Sequence, residues 1–265
     1  MPCWTIHLGV ATKLNENYKL NKEQFLYGSI LPDVMDTNPF GRDFSHFFGT
    51  RYHDLCKEEI IVDVDRFKST YEDRLSHDLI LGYYVHILTD YFYNDYVFRN
   101  CYLRDENNHV IGIKTKEGHT LIPNPNDSRG RRKIKQSDFI NYGKLLLSNN
   151  LVGIPTDVEE IKKQLHLLES EFITKEEVQK RLDYLSSEEF KQFNSGYLDE
   201  LFVMCDKDEY QKVFDDCIDF CIEKTKQYVS AKGAFCLKKY RKYGIIHSRI
   251  KKGRDPNGNQ NIKSW

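Results

Sequence analysis

A long stretch without proline, residues 76–100, constrains the fold of this chain more than any other feature. Apolar residues recur along it on several sides, and they are Leu79, Leu81, Val85, Leu88, Phe92 and Val97. So broad an apolar pattern is typical of a helix buried on more than one face, whereas a surface helix carries a single apolar stripe. The sequence therefore predicts a long central helix against which other elements pack.

Two polar residues interrupt this predicted helix at a spacing of four. On a helix, His86 and Asp90 would lie one above the other on the same face. Burying an imidazole and a carboxylate together is costly unless both are paired. A divalent metal is one such partner, and a direct hydrogen bond between the two side chains is the other. From this helix alone, both interpretations stay open.

Composition limits the classes of protein to which the chain could belong. Its 265 residues are 40% hydrophobic and 30% charged, with a formal net charge of −1. We expect one domain over residues 1–250 with a polar tail at 251–265, and the near-neutral charge argues against a nucleic-acid partner. The seven scattered cysteines indicate reduced thiols. Because neither a transmembrane segment nor a signal peptide is recognisable, we expect a cytoplasmic protein.

Further helices are predicted from apolar periodicity and from residues typical of helix ends. The predicted segments are 5–14, 22–27, 63–75, 137–147, 157–172, 175–185 and 207–230. Asn21 is the expected N-cap of the second segment. Thr174 with Glu177 has the spacing of a capping box before the sixth. The predicted fold class is therefore all-α and multi-helical.

Several segments interrupt this helical pattern. Pro32 disfavours helical backbone at the residue before it, so we expect extended or turning chain at Asp33. Residues 36–53 are rich in Asn, Gly and Asp but contain four phenylalanines, which indicates a loop packed onto the core. Short β-branched runs over 101–123 predict a small β-hairpin or meander inserted between helices. The basic run RGRRKIK at 129–135 is predicted to be a loop, either solvated or folded over a phosphate site.

The N-terminal part of the chain contains five candidate metal ligands. They are His7, Asp33, His46, His86 and Asp90. Imidazoles and carboxylates without cysteine suit zinc, manganese, iron or nickel, and the residue types do not select one of these metals. Asp33 has an alternative role as a turn or cap residue, and His46 as a hydrogen-bonding loop residue.

Four short motifs around these residues resemble the zinc-dependent phospholipase C family. In chain order they are HL at 7–8, FLYGSILPD at 25–33, SHF at 45–47 and LGYYVHILTD at 81–90. The resemblance covers about residues 4–100, and it does not extend beyond them. It implies an all-helical architecture like that of the S1/P1-type nucleases.

The resemblance also implies a role for each candidate ligand. Asp33, His46, His86 and Asp90 would hold a central zinc ion, and Asp90 would bridge to a second metal shared with His7. Asp33 would in addition orient or deprotonate the attacking water. The family hydrolyses phosphodiesters with a metal-bound water as nucleophile. The expected substrate is thus a phosphoester small molecule or a lipid head group, and the expected cofactor is one zinc ion, or two.

Three departures from the family pattern keep alternatives open. The secreted enzymes use the amine of an N-terminal Trp as a ligand, whereas Trp4 here follows Met-Pro-Cys. Tyr96 occupies a position where a fuller cluster has a histidine, and no HxxxE motif follows. One alternative is therefore a non-catalytic module with a structural metal. The other is an HD-type phosphohydrolase that uses His77 and Asp78, with His46 upstream and Asp90 or Asp95 downstream.

Overall fold

The centre of the fold is the predicted long helix, which runs from Asp78 to Asn100. The computed structural model describes residues 2–34, 41–48, 51–53, 56–121, 128–168 and 173–230. These residues all belong to one unit, Met1–Phe235. The predicted polar tail at 251–265 lies outside the described residues, so the predicted domain boundary stays a prediction.

The described residues are mostly helical, as predicted. The α-helices are α1 (Trp4–Tyr18), α2 (Lys22–Gly28), α3 (Leu31–Val34), α4 (Gly41–Ser45), α5 (Val64–Tyr71), α6 (Asp78–Asn100), α7 (Ser128–Ser148), α8 (Val158–Lys162), α9 (Lys175–Ser186), α10 (Glu188–Phe193) and α11 (Lys207–Ser230). Short 3-10 turns add Glu72–Arg74, Leu165–Leu167 and Asp199–Leu201. No helix within the described ranges has both the length and the apolar character needed to cross a bilayer.

Two small antiparallel sheets accompany the helices. The strands are β1 (Arg51–His53), β2 (Cys56–Ile61), β3 (Tyr102–Arg104), β4 (Val110–Lys114) and β5 (Thr120–Leu121). The β3-β4-β5 sheet confirms the predicted insertion, although residues 122 and 123 lie outside the described part. The β1-β2 pair was not predicted, because β1 lies within residues 36–53, whose composition is typical of a loop.

The predicted helix ends are confirmed where a local cap determines them. The Asn21 side chain accepts a hydrogen bond from the Gln24 backbone N–H at the start of α2. Thr174 and Glu177 form the predicted capping box of α9. The helix predicted over 157–172 is shorter, since α8 ends at Lys162 and a 3-10 turn follows.

Three local predictions were wrong. Residues 36–53, predicted to be a loop, contain the helix α4 and the strand β1. The chain around Asp33 is the short helix α3 and is not extended, because proline is tolerated in the first turn of a helix, where its missing N–H leaves no hydrogen bond unmade. The basic run 129–135 belongs to α7 and is not a loop. Arginine and lysine are good helix formers, so the high charge of this run does not break the helix.

Helix α6 is buried on several faces, as expected, and contacts α1, α2, α3, α5 and α11. Its approach to α2 is unusually close because a glycine faces a glycine. A Cβ atom added to Gly82 would lie 2.2 Å from the Phe25 carbonyl oxygen, and one added to Gly28 would lie 2.1 Å from that of Leu79. Only glycine therefore allows the two backbones to touch at this crossing.

Candidate metal centre

Helix α6 supplies His86 and Asp90 from adjacent turns, and both side chains are fully buried. The close crossing of α2 and α6 brings the Ser29 carbonyl oxygen within 2.7 Å of His86 Nδ1. This carbonyl accepts a hydrogen bond from Nδ1, so Nε2 is the nitrogen of His86 that could bind a metal. A backbone acceptor of this kind is the usual outer partner of a metal-binding histidine, because it fixes the tautomer and the ring.

Helix α1 adds His7, also fully buried. Its ring stacks on that of His86 with centroids 3.8 Å apart and planes 9° apart. His7 Nε2 lies 3.5 Å from Asp90 Oδ1, and His86 Nε2 lies 3.5 Å from Asp90 Oδ2. Three polar side chains from two helices thus converge on one point, at distances too long for good hydrogen bonds.

The convergence leaves polar atoms without partners in the described part of the chain. Both ring nitrogens of His7, Nε2 of His86 and both carboxylate oxygens of Asp90 are buried and form no hydrogen bond there. Leaving a buried polar group unpaired costs about 1–3 kcal/mol, and more for a charged one. The donor set of imidazole nitrogen and carboxylate oxygen fits a divalent metal such as zinc.

A second group of residues lies beside the first. His46 directly follows α4, and its Nε2 lies 3.1 Å from Asp33 Oδ1 on α3. On the other side of the ring, Nδ1 lies 2.8 Å from Ser45 Oγ and 3.2 Å from the Arg42 carbonyl oxygen. His46 is fully buried, and its ring meets that of His86 edge-on at 5.2 Å.

The five predicted ligands are therefore brought together as two overlapping groups. One group is His7, His86 and Asp90, and the other is Asp33, His46 and His86. Within each group, one ligand atom per residue lies within 4.8 Å of the others. His86 belongs to both groups in this geometry, whereas the family resemblance implies that Asp90 is shared. That these residues bind a metal stays a prediction.

The buried charges shift several pKa values. Burial lowers the pKa of His7 to about 4, so its ring is neutral at neutral pH, the form that coordinates metals. Burial alone would raise the pKa of Asp33, but the hydrogen bond with His46 and the charge of His86 lower it to about 2. For Asp90 the charge of His86 likewise outweighs burial and holds the pKa well below its usual range.

Access to the centre is from the side of Asp33. Among the five candidates only its side chain is partly exposed, at 10%, and it lines a cavity of about 560 Å³. Arg42 lines the same cavity, with its Nη2 atom 3.7 Å from Asp33 Oδ1. Trp4, Phe139 and Tyr184 contribute aromatic walls. A ligand that enters this cavity therefore meets a carboxylate, a guanidinium and apolar surface together.

Supporting residues were missed by sequence reasoning although they lie inside the recognised motifs. Ser29 holds His86 through its carbonyl oxygen. The Ser45 hydroxyl contacts His46, and the Ser45 carbonyl accepts a hydrogen bond from the buried Tyr83 hydroxyl. The serines of SILPD and SHF were the available signal, but the residue type alone does not identify a backbone acceptor.

Within the part of the chain that the structure describes, the HD alternative receives no geometric support. His77 is the N-cap residue of α6, and Asp78 accepts a hydrogen bond from the Asn21 backbone N–H at 3.0 Å. Neither residue belongs to the two candidate groups. Tyr96 donates a hydrogen bond to Glu209 at 2.6 Å and thereby links α6 to α11.

A comparison of the chain with protein-family models, curated proteins and solved structures gives no match.

Proposed function

We propose that this chain is a metal-dependent hydrolase of phosphoesters, most simply a phosphodiesterase similar to zinc-dependent phospholipase C. One observation carries the proposal: buried nitrogens of His7 and His86 face both oxygens of Asp90 without hydrogen bonds among the described residues. A protein gains little by burying these atoms unless coordination satisfies them. The proposed cofactor is zinc, with one ion per chain. A second ion would need Asp90 as the bridging ligand, because His86 has only Nε2 left to bind a metal.

The residues at the mouth of the site would carry the reaction. When bound, the metal supplies Lewis acidity towards phosphate oxygens and makes water more acidic. The Asp33 carboxylate faces the cavity, where it can orient an attacking water. Arg42, 3.7 Å from Asp33, can pair with a phosphate oxygen and offset the charge that develops in the transition state.

The proposal also covers the fold group of the domain and the cellular compartment of the protein. We place the helical domain with the phospholipase C and P1-type nuclease group, because four separate sequence motifs converge on one centre. The substrate would be a soluble phosphoester or a lipid head group. The cysteines at 3, 101, 205, 217 and 221 are free thiols, which supports a reducing compartment such as the cytosol.

A non-catalytic metal module is the second candidate, and burial favours it. Four of the five candidate ligands have no exposed side-chain surface. Structural metal sites are closed in this way, whereas catalytic sites keep an open coordination position. Among the described residues, only the Asp33 side offers access, so the two candidates differ in whether a phosphate can reach the metal from the cavity.

Elemental analysis followed by an activity assay separates these candidates. We expect the purified full-length chain to hold about one equivalent of metal and to hydrolyse bis-p-nitrophenyl phosphate. A chelator should abolish turnover, and added zinc should restore it. His86→Ala should lose both metal and turnover. His109→Ala, which alters an exposed histidine paired with Asp105, is the matched control and should keep both.

Two results would decide against the hydrolase. If metal is bound but no phosphoester in a broad panel is turned over, the structural module is the better description. If His86→Ala binds metal as well as the wild type does, the assignment of the centre itself is wrong.

A further inference from the structure

A guanidinium group lies in the wall of the cavity over the candidate metal centre. It belongs to Arg181 on α9, which lines this cavity together with Asp33. The Cζ atom of Arg181 lies over the Trp4 ring, 4.4 Å from the ring centroid. Stacking on an aromatic face holds a guanidinium in place and leaves its N–H donors available at the edge. The stack therefore presents a positioned cation to the cavity.

The surroundings of this guanidinium are partly shielded from water. Arg181 is only partly exposed, whereas the preceding Lys180 is exposed and does not line the cavity. Tyr27 is fully buried, and burial raises the pKa of its hydroxyl, while the positive charge of Arg181 opposes that shift. The charge of Arg181 thus acts on the protein interior, where an unpaired charge is costly.

Within the described ranges, Arg181 has no carboxylate partner. Asp33 is the carboxylate among the described lining residues, and Arg42 lies 3.7 Å from it. In the same part of the chain, Arg181 contacts the Trp4 ring and forms neither an ion pair nor a hydrogen bond. A partly buried guanidinium of this kind is stabilised by an oxyanion, which can accept hydrogen bonds from two of its N–H groups at once.

Aromatic rings continue from this stack along the cavity wall. Tyr184 follows Arg181 by one turn of α9, and its ring meets that of Trp4 edge-on at 5.8 Å. The Phe190 ring in turn meets that of Tyr184 edge-on at 5.7 Å. All three rings line the cavity. An anion at Arg181 would therefore be accompanied by an apolar or planar group that packs on these rings.

We propose that Arg181, held on Trp4, forms an oxyanion subsite of this cavity, which binds a carboxylate or phosphate attached to an apolar or planar group. For the identity of the substrate, this inference rests on the proposed function. The reacting phosphate would lie at Asp33, and the alcohol of the phosphoester would carry the second anionic group to Arg181. Arg181 is then a specificity-determining residue, because it attracts an anionic alcohol and repels a cationic one.

Tryptophan fluorescence tests the subsite directly, because Trp4 forms part of it. The chain has two tryptophans, so Trp265→Phe makes Trp4 the single reporter. Benzoate and its uncharged analogue benzamide are titrated into this full-length parent after chelator treatment and dialysis, so that no metal ion can hold the anion. We expect benzoate to bind about tenfold more tightly than benzamide. Phenylphosphonate in place of benzoate shows which oxyanion is preferred, by which of the two binds more tightly.

Three substitutions in the same parent locate the preference. Arg181→Gln removes the charge but keeps a side chain beside the Trp4 ring, and it should reduce the affinity ratio to about one. Arg181→Lys keeps the charge without the paired donors and should give an intermediate ratio. Lys180→Ala removes a positive charge from the same helix outside the cavity, and it should leave the ratio as it is in the parent.

The outcomes separate this inference from the proposed function. The subsite is rejected if benzoate and benzamide bind equally, if Trp4 does not respond to benzoate, or if Arg181→Gln keeps the preference. It is also rejected if Lys180→Ala lowers the preference as much as Arg181→Gln does, because overall charge would then explain it. Turnover of bis-p-nitrophenyl phosphate by the zinc-loaded chain reports on the proposed function alone. A preference that depends on Arg181 without any turnover supports the subsite and rejects the hydrolase.

Discussion

Asp90 and Asp138 are both buried carboxylates with no exposed surface, yet their surroundings differ. Asp138 Oδ1 accepts a hydrogen bond from the Val203 backbone N–H at 2.9 Å. Its Oδ2 accepts one from the Met204 backbone N–H at 2.8 Å and another from the Tyr210 hydroxyl at 2.9 Å. Neither oxygen of Asp90 has a hydrogen-bond partner among the described residues.

The contrast distinguishes a structural carboxylate from one arranged for a ligand. Asp138 joins α7 to the segment before α11, and the folded chain itself supplies every partner. Asp90 is surrounded by imidazoles at a distance that leaves room between them. A buried carboxylate whose hydrogen bonds are complete has no need of a metal, whereas Asp90 gains most from one.

The largest expected effect is the loss of stability when Asp138 is replaced. Asp138→Ala should lower the free energy of unfolding by about 3–5 kcal/mol, because it leaves two buried backbone donors and the Tyr210 hydroxyl unpaired. Urea unfolding of the chelator-treated protein at neutral pH measures this change. Asp183→Ala removes an exposed carboxylate that pairs with Gln179 and should change the stability by less than about 0.5 kcal/mol. A similar loss in both variants would remove the distinction.

A slightly smaller effect on stability is expected at Asp90, and this effect should depend on bound metal. Zinc at a free concentration of about 100 times its dissociation constant should stabilise the wild type by about 2.7 kcal/mol. Asp90→Ala should abolish this increment, because it removes a ligand of the proposed centre. Asp138→Asn should keep it, even though the variant is less stable overall. Differential scanning calorimetry with zinc or with chelator checks both expectations, and an increment that survives in Asp90→Ala would contradict the proposed centre.

The two carboxylates also show which parts of the molecule the sequence could predict. Helix α6 and its His86–Asp90 pair were predictable, because the apolar pattern and the spacing of four are local signals. The capping box at Thr174 and the bounds of α11 were predictable for the same reason. The role of Asp138 was not, since its donors lie more than sixty residues further along the chain.

What the sequence left open depends on tertiary contacts. The Ser29 carbonyl reaches His86 only because Gly28 and Gly82 let two helices touch. The position of Arg132 in the lining of the same cavity as Arg42 likewise depends on distant segments. Local composition assigned the run 129–135 to a loop, and it contained no information about this placement.

Two buried tyrosines allow a finer test of the same distinction. The Tyr210 hydroxyl donates to Asp138, whereas the buried Tyr93 hydroxyl has no partner among the described residues. Tyr210→Phe should lower the free energy of unfolding by about 1–1.5 kcal/mol, because one hydrogen bond is lost. Tyr93→Phe should leave it unchanged or raise it, because an unpaired polar group is removed. Equal losses in urea unfolding would show that pairing does not separate these sites.

The smallest expected effect is a dependence on pH that belongs to Asp138. Burial raises the pKa of Asp138 above 3.8, although the N–H groups of Met204 and Val203 and the Tyr210 hydroxyl oppose the shift. A carboxyl whose pKa is raised by folding favours the folded state most when it is protonated. That contribution to stability is lost as the pH rises from the unfolded pKa to the folded pKa. Asp138→Asn does not titrate, so its stability deficit relative to the wild type should shrink as the pH rises above about 4. Paired urea titrations across this range measure the deficit, and a deficit that grows with pH would mean that the hydrogen bonds to the ionised carboxylate outweigh its burial.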